Sequence, residues 1–168
     1  MPAALLAVVF VAVAVRSITG GPPVDHELAA EIRTLDVTPY MLDLEGAELV
    51  DVDVDDDGVV LDYTGPYFGG PGSNLEFFVH LSKAPRRDIC GNSRNGPTPG
   101  GGSWTCKDNR AVSSFEEMSS YITVKGDTRL SLDPQGGGVG AKAFAALDGA
   151  RRVSADELAR HSDGHHDD

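Results

Sequence analysis

The chain is poor in positive charge. Fourteen Lys and Arg face 26 Asp and Glu, a formal net charge of -12 at pH 7. A surface with that balance repels phosphate, which argues against nucleic-acid binding, and repels anionic lipid headgroups as well. Cysteine is scarce too. Cys90 and Cys106 are the two present, without CxxC spacing and with no histidine nearby, so zinc ligation is not indicated. No cysteine stands directly after the N-terminal apolar run, which argues against a lipoprotein anchor. No long apolar stretch is present beyond that run, and it is itself short.

That run covers residues 2–15, PAALLAVVFVAVAV, and Arg16 closes it. As a helix it spans roughly 20 Å, less than the ~30 Å hydrocarbon core of a bilayer. Ala12-Val13-Ala14 supplies a small-residue cleavage pattern. Lys and Arg are missing ahead of the run. Taken literally, the positive-inside rule then puts the rest of the chain in the cytoplasm. The reading preferred on sequence is a signal-anchor or signal-peptide-like helix over residues 1–16 whose basic cytoplasmic end precedes residue 1. The expected location is the cell membrane with an extracytoplasmic domain, or secretion.

With 168 residues the chain accommodates one domain and its appendages. Residues 17–24, rich in Gly and Pro, form a linker. Residues 25–160 are the expected domain, and residues 161–168, HSDGHHDD, a disordered polar tail. Asp25 is placed to cap a helix to about residue 35, with Leu28, Ile32 and Leu35 on one face. Ser154 and Glu157 form a capping box for a second helix. Ser113 or Ser114 suggests a third, through Met118.

The strongest strand signal is residues 47–63, AELVDVDVDDDGVVLDY. Val50, Val52 and Val54 alternate with Asp51, Asp53 and Asp55, and Asp57-Gly58 turns the chain into a β-branched return. This predicts a hairpin with one apolar and one carboxylate face. Residues 75–82, LEFFVHLS, predict a central strand with Phe77, Val79 and Leu81 on one side and Phe78 and His80 on the other. Residues 121–124 and 128–132 predict a second hairpin. The expected fold is therefore α+β: a small antiparallel sheet of two hairpins and a central strand, with short peripheral helices, preceded by the apolar N-terminal helix.

Four features bear on function. Asp53, Asp55 and Asp57, followed by Gly58, match the opening of a calcium loop, in which alternate carboxylates converge on a hard cation. Thr64 stands where the bidentate acid belongs and the flanks are strands, so calcium is a minority reading. Cys90 and Cys106 close a Gly/Pro/Ser-rich loop, and a disulfide between them accords with export. Trp104 beside Arg86, Arg87, Arg94, Lys107 and Arg110 makes a basic, aromatic loop that suits a protein partner or the Asp ladder itself. His80 lacks a sequence-adjacent partner for general-base work. Gly136, Gly138 and Ala141 formally satisfy G-x-G-x-x-A, but no βαβ unit surrounds them.

The function expected is a membrane-anchored or exported noncatalytic binding or assembly module. A calcium-binding domain through the 53–58 turn, and a small exported hydrolase using His80 with an aspartate brought close by the fold, are the alternatives. Ligand, partner and oligomeric state are not legible in the residues.

Overall fold

The computed structural model describes residues 22–69, 75–85, 89–90, 96–97, 102–116, 118–134 and 139–162. The expected N-terminal helix and the C-terminal tail beyond residue 162 lie outside them. Among the described residues, no helix is long and apolar enough to cross a membrane.

Among the described residues, three helices and ten strands follow one another. Helix α1 (His26–Thr34) is capped by Asp25, whose Oδ1 accepts the N–H groups of Glu27 and Leu28 at 3.0 Å each. The strands are β1 (Tyr40–Met41), β2 (Glu48–Val54), β3 (Gly58–Gly65), β4 (Leu75–Lys83), β5 (Gly96–Pro97), β6 (Ser103–Lys107), β7 (Arg110–Phe115), β8 (Met118–Lys125), β9 (Thr128–Pro134) and β10 (Arg151–Arg152). Helices α2 (Gly140–Gly149) and α3 (Ala155–Leu158) flank β10. Ser154 caps α3 by accepting the Glu157 N–H at 3.1 Å.

The main sheet is antiparallel and has eight strands in the order β2-β3-β4-β9-β8-β7-β6-β5. It is larger than two hairpins and one strand. The chain forms a meander through β4, crosses to the far edge at β5, and returns strand by strand until β9 pairs with β4. Strands β1 and β10 form a separate two-stranded sheet.

Two expectations fail in the middle of the chain. The stretch from Ser113 to Met118 is not helical, because β7 and β8 meet there in a tight hairpin. Ser113 faces Ser120, Ser114 faces Ser119, and the Ser114 and Ser119 hydroxyls lie 3.0 Å apart. Serine at a helix start and serine in a cross-strand hydroxyl pair have the same local sequence, and pairing with β8 decides between them. The span between residues 83 and 109 is not all loop either. It supplies β5 and β6, and Asp108 and Asn109 turn the chain into β7 with φ of +52° and +58°, the two positive values that a tight hairpin turn requires.

The core lies between the helices and one face of the sheet. Val59, Leu61 and Tyr63 of β3 stand opposite Leu81, Val79 and Phe77 of β4, and all six are buried. Leu130 and Leu132 of β9 extend the row, and Leu28, Ile32, Leu147 and Leu158 close it from the helix side. Tyr63 stacks on Phe77 with ring centres 5.2 Å apart, and its hydroxyl accepts the Leu42 N–H at 2.8 Å. Lys125 of β8 donates to the carbonyls of Asp148 and Ala150 at 2.6 and 2.7 Å, satisfying oxygens at the end of α2.

Candidate functional site: the carboxylate face of the sheet

The opposite face has two different halves, both set by strand parity. Toward β6–β8, Cys106, Ala111 and Ile122 form a small second core, with Ile89, Cys90 and Trp104 packed against it. The Cys90–Cys106 disulfide, with Cα atoms 5.4 Å apart, ties the β4–β5 connection to β6 at this cluster. Such a bond is compatible with an exported location.

Toward β2–β4 and β9 the outer face carries acid. Asp51 stands opposite Asp62, Asp62 opposite Phe78, and Phe78 opposite Asp133, so these four make one row across four strands. A second row holds Asp53, Val60, His80 and Ser131, and a third holds Glu48, Thr64 and Glu76. Phe78 is 36% exposed, one of the few large apolar side chains open to solvent. On either side of it, Asp62 Oδ1 and Asp133 Oδ1 are buried without a hydrogen-bond partner. Burial, then the charges of Glu76 and Asp51, hold the Asp62 carboxyl above the usual aspartate range. This is a face with an apolar centre flanked by two carboxylates, Asp62 and Asp133, each with one oxygen that accepts no hydrogen bond.

The hairpin tip is organised differently. Asp55 Oδ1 accepts the N–H groups of Asp57 and Gly58 at 2.9 and 2.7 Å, and Asp53 Oδ1 accepts the Val54 N–H at 2.7 Å. The Asp57 N–H is the leading cause that holds the Asp55 carboxyl below the ordinary range, with Gly58 and His80 adding to it and burial opposing it. Asp53 and Asp55 thus turn an oxygen to their own backbone. Among the described residues, no three carboxylates, imidazoles or thiolates gather into a metal cage.

The fold does bring His80 an aspartate: Nε2 lies 3.4 Å from Asp55 Oδ1. That nitrogen is buried without a hydrogen bond. Gly58 makes room for it, since a Cβ there would sit 2.9 Å from His80 Nε2 and 2.0 Å from the Leu81 carbonyl oxygen. A general base needs a nitrogen open to a reacting proton. Here Nε2 is enclosed by the tip.

The described members of the basic, aromatic loop lie on two faces of the sheet. Trp104 lies on the disulfide side of β6, whereas Lys107 and Arg110 pair with each other on the helix side. Arg86, Arg87 and Arg94 lie outside the described residues. Lys107 and Arg110 instead line an open cleft of about 460 Å3 with Thr105, Asp108, Val112 and Phe144. Sequence reasoning missed this cleft because Phe144 reaches it from α2, 29 residues beyond the end of β7. It also missed Asp133, for which the continuation of strand parity past Leu132 was an available signal.

No protein-family model, curated protein or solved structure matches the chain.

Proposed function

We propose that the domain is a noncatalytic, extracytoplasmic binding module that holds a cationic partner on its carboxylate face. The observation that carries this reading is the row Asp62–Phe78–Asp133. An exposed aromatic sits between two carboxylates, each with one buried oxygen that lacks a hydrogen-bond donor. Orphaned buried acceptors are costly, and an incoming ammonium or guanidinium relieves that cost. The ring adds apolar contact and a face for a cation. The disulfide supports the extracytoplasmic part of the reading.

Overall charge alone would attract any polycation, so the test holds charge constant. An oligolysine peptide carrying one tryptophan is titrated calorimetrically into wild type, Phe78→Ser, Asp62→Asn/Asp133→Asn, and Glu31→Gln/Glu45→Gln. Glu31 and Glu45 are exposed and away from the row. The row variants should each bind about tenfold more weakly, equivalent to about 1.4 kcal/mol, and the Glu31/Glu45 control much less so. Equal losses in both double variants would reduce the interaction to bulk electrostatics and overturn the reading.

A further inference from the structure

The three rows of the carboxylate face contain no lysine or arginine. Phe78 is 36% exposed at their centre, and Asp62 Oδ1 and Asp133 Oδ1 on either side of it accept no hydrogen bond. Elsewhere the chain shows which cation suits such a set of groups. Arg110 lies over the Phe144 ring, 5.3 Å from its centre, and is ion-paired with Asp148 at 2.5 Å. There a guanidinium rests on a phenylalanine and is held at one edge by an aspartate. On the outer face a phenylalanine again stands beside aspartate, here with one on each side.

Strand spacing sets the size of the cation. Opposed residues of an antiparallel pair have Cβ atoms about 5 Å apart, so those of Asp62 and Asp133 are roughly 10 Å apart across Phe78. A carboxylate oxygen lies about 2.4 Å from its Cβ, so oxygens turned toward the ring are separated by roughly 5–7 Å. A guanidinium donating from opposite edges bridges acceptors about 7 Å apart, whereas the tetrahedral donors of an ammonium bridge only about 5 Å. The guanidinium is also planar and weakly hydrated, so it lies on an aromatic ring while its edges donate sideways. Asp62 and Asp133 are half-buried, and an aspartate carboxyl turns readily about χ2, which brings each orphaned oxygen forward to a donor.

We infer that the row selects arginine over lysine: a guanidinium on a segment of the partner protein lies against the Phe78 ring and donates to Asp62 and Asp133 together. This rests on the binding function proposed above and narrows it from any cation to one side chain. Phe78 supplies the stacking surface, and the two carboxylates fix the plane and direction of the guanidinium. Asp51, next to Asp62 in the row, and Glu76 of the neighbouring row deepen the negative potential around the contact. They attract either cation, so the discrimination comes from the ring and the spacing of its two aspartates.

The test compares two peptides of equal length and charge, one built on arginine and one on lysine, each carrying a tryptophan. They are titrated calorimetrically into the full chain in a nonionic detergent at about 0.15 M salt, where distant charges are screened. Wild type should bind the arginine peptide about tenfold more tightly, the scale of a stacked contact and one added hydrogen bond. Phe78→Tyr keeps the ring and should keep that ratio. Phe78→Leu keeps apolar bulk without the ring, and Asp62→Asn/Asp133→Asn keeps the ring without the charges. Each should lower the ratio to about twofold or less. Circular dichroism checks that every variant is folded. Equal binding of the two peptides by wild type, with both still weakened by Asp62→Asn/Asp133→Asn, overturns the selectivity and leaves the binding reading standing. An arginine preference that survives Phe78→Leu overturns it as well. Binding of both peptides that is indifferent to the row removes the reading and this inference together.

Discussion

Opening the Cys90–Cys106 bond should cost this domain about 3 kcal/mol. The bond joins residues 16 apart in sequence, and the loop-entropy relation for a crosslink of that span gives about 3 kcal/mol at 25 °C. It also fastens the connection that carries the chain from β4 to the far edge of the sheet. Pairing of β9 with β4 closes a loop that contains β5 to β8, so the crosslink shortens the search where the topology is least local. With an unfolding entropy of roughly 0.3 kcal/mol/K for a domain of this size, the Tm should fall by about 10 °C. The assay is a thermal melt followed by circular dichroism on oxidised protein, protein reduced with a phosphine, and Cys90→Ala/Cys106→Ala. The reduced and doubly substituted forms should agree within about 1 kcal/mol, because the cluster around the bond is small: Cys106, Ala111 and Ile122 are its buried members. Oxidised protein should also show the smaller urea m-value, since its unfolded state exposes less surface. A Tm change below about 2 °C on reduction would refute the entropic argument. A double variant much less stable than reduced wild type would instead assign the effect to packing.

Two further substitutions test the β2–β3 hairpin. Gly58→Ala puts a Cβ 2.0 Å from the Leu81 carbonyl oxygen, a backbone atom that can move only by parting β3 from β4. The expected loss is about 3 kcal/mol or more in a urea titration, and a loss under about 1 kcal/mol would show that the strands part freely. Asp62→Asn tests the carboxylate row through pH. The folded Asp62 carboxyl titrates above its ordinary value of 3.8, so its contribution is full below that pH and is lost as pH rises through the folded value. Removing the charge should stabilise the protein at neutral pH by roughly 0.2–1 kcal/mol, the scale of a like-charge pair across two strands, and the gain should vanish at about pH 3. Asp55 has the opposite sign: its carboxyl is held below 3.8, and its contribution is lost as pH falls through the folded value. A gain from Asp62→Asn that persists into acid would exclude charge as its cause.

What the residues revealed in advance follows from how local each signal is. The caps at Asp25 and Ser154 are read within three residues of themselves, and both form. The alternation in residues 75–82 placed Phe77, Val79 and Leu81 together and Phe78 with His80, and β4 keeps that parity. Strands β5 to β7 were less legible because their pairing lies elsewhere in the chain. The run Ser-Trp-Thr-Cys-Lys has little apolar periodicity of its own, and it becomes a strand by pairing with β7, which in turn pairs with β8. The carboxylate row draws its members from β2, β3, β4 and β9. Its individual aspartates are visible in sequence, whereas the adjacency of Asp62, Phe78 and Asp133 exists only once strand order and register are known.

The N-terminal half of β2 shows how one residue decides what that face becomes. Strict alternation through Val50, Val52 and Val54 would put Glu48 toward the core and Leu49 toward solvent. The structure does the reverse: Leu49 stands opposite Tyr63 and is buried, while Glu48 stands opposite Thr64 and is exposed. Register shifts between Leu49 and Asp51, so Val50 is the extra residue of a bulge. The sequence carries two phases of alternation, Glu48-Leu49 before the slip and Asp51 to Val54 after it, and the bulge lets both satisfy the same core. A bulge also raises the local twist of a strand, and β2 is the edge of the sheet. The same device therefore keeps Leu49 in the core, adds Glu48 to the carboxylate face, and makes the edge a poor template for another strand. Glu48's place on the face and the protection of the edge share one structural cause, so substitutions that test binding are best placed on β3, β4 and β9, away from it.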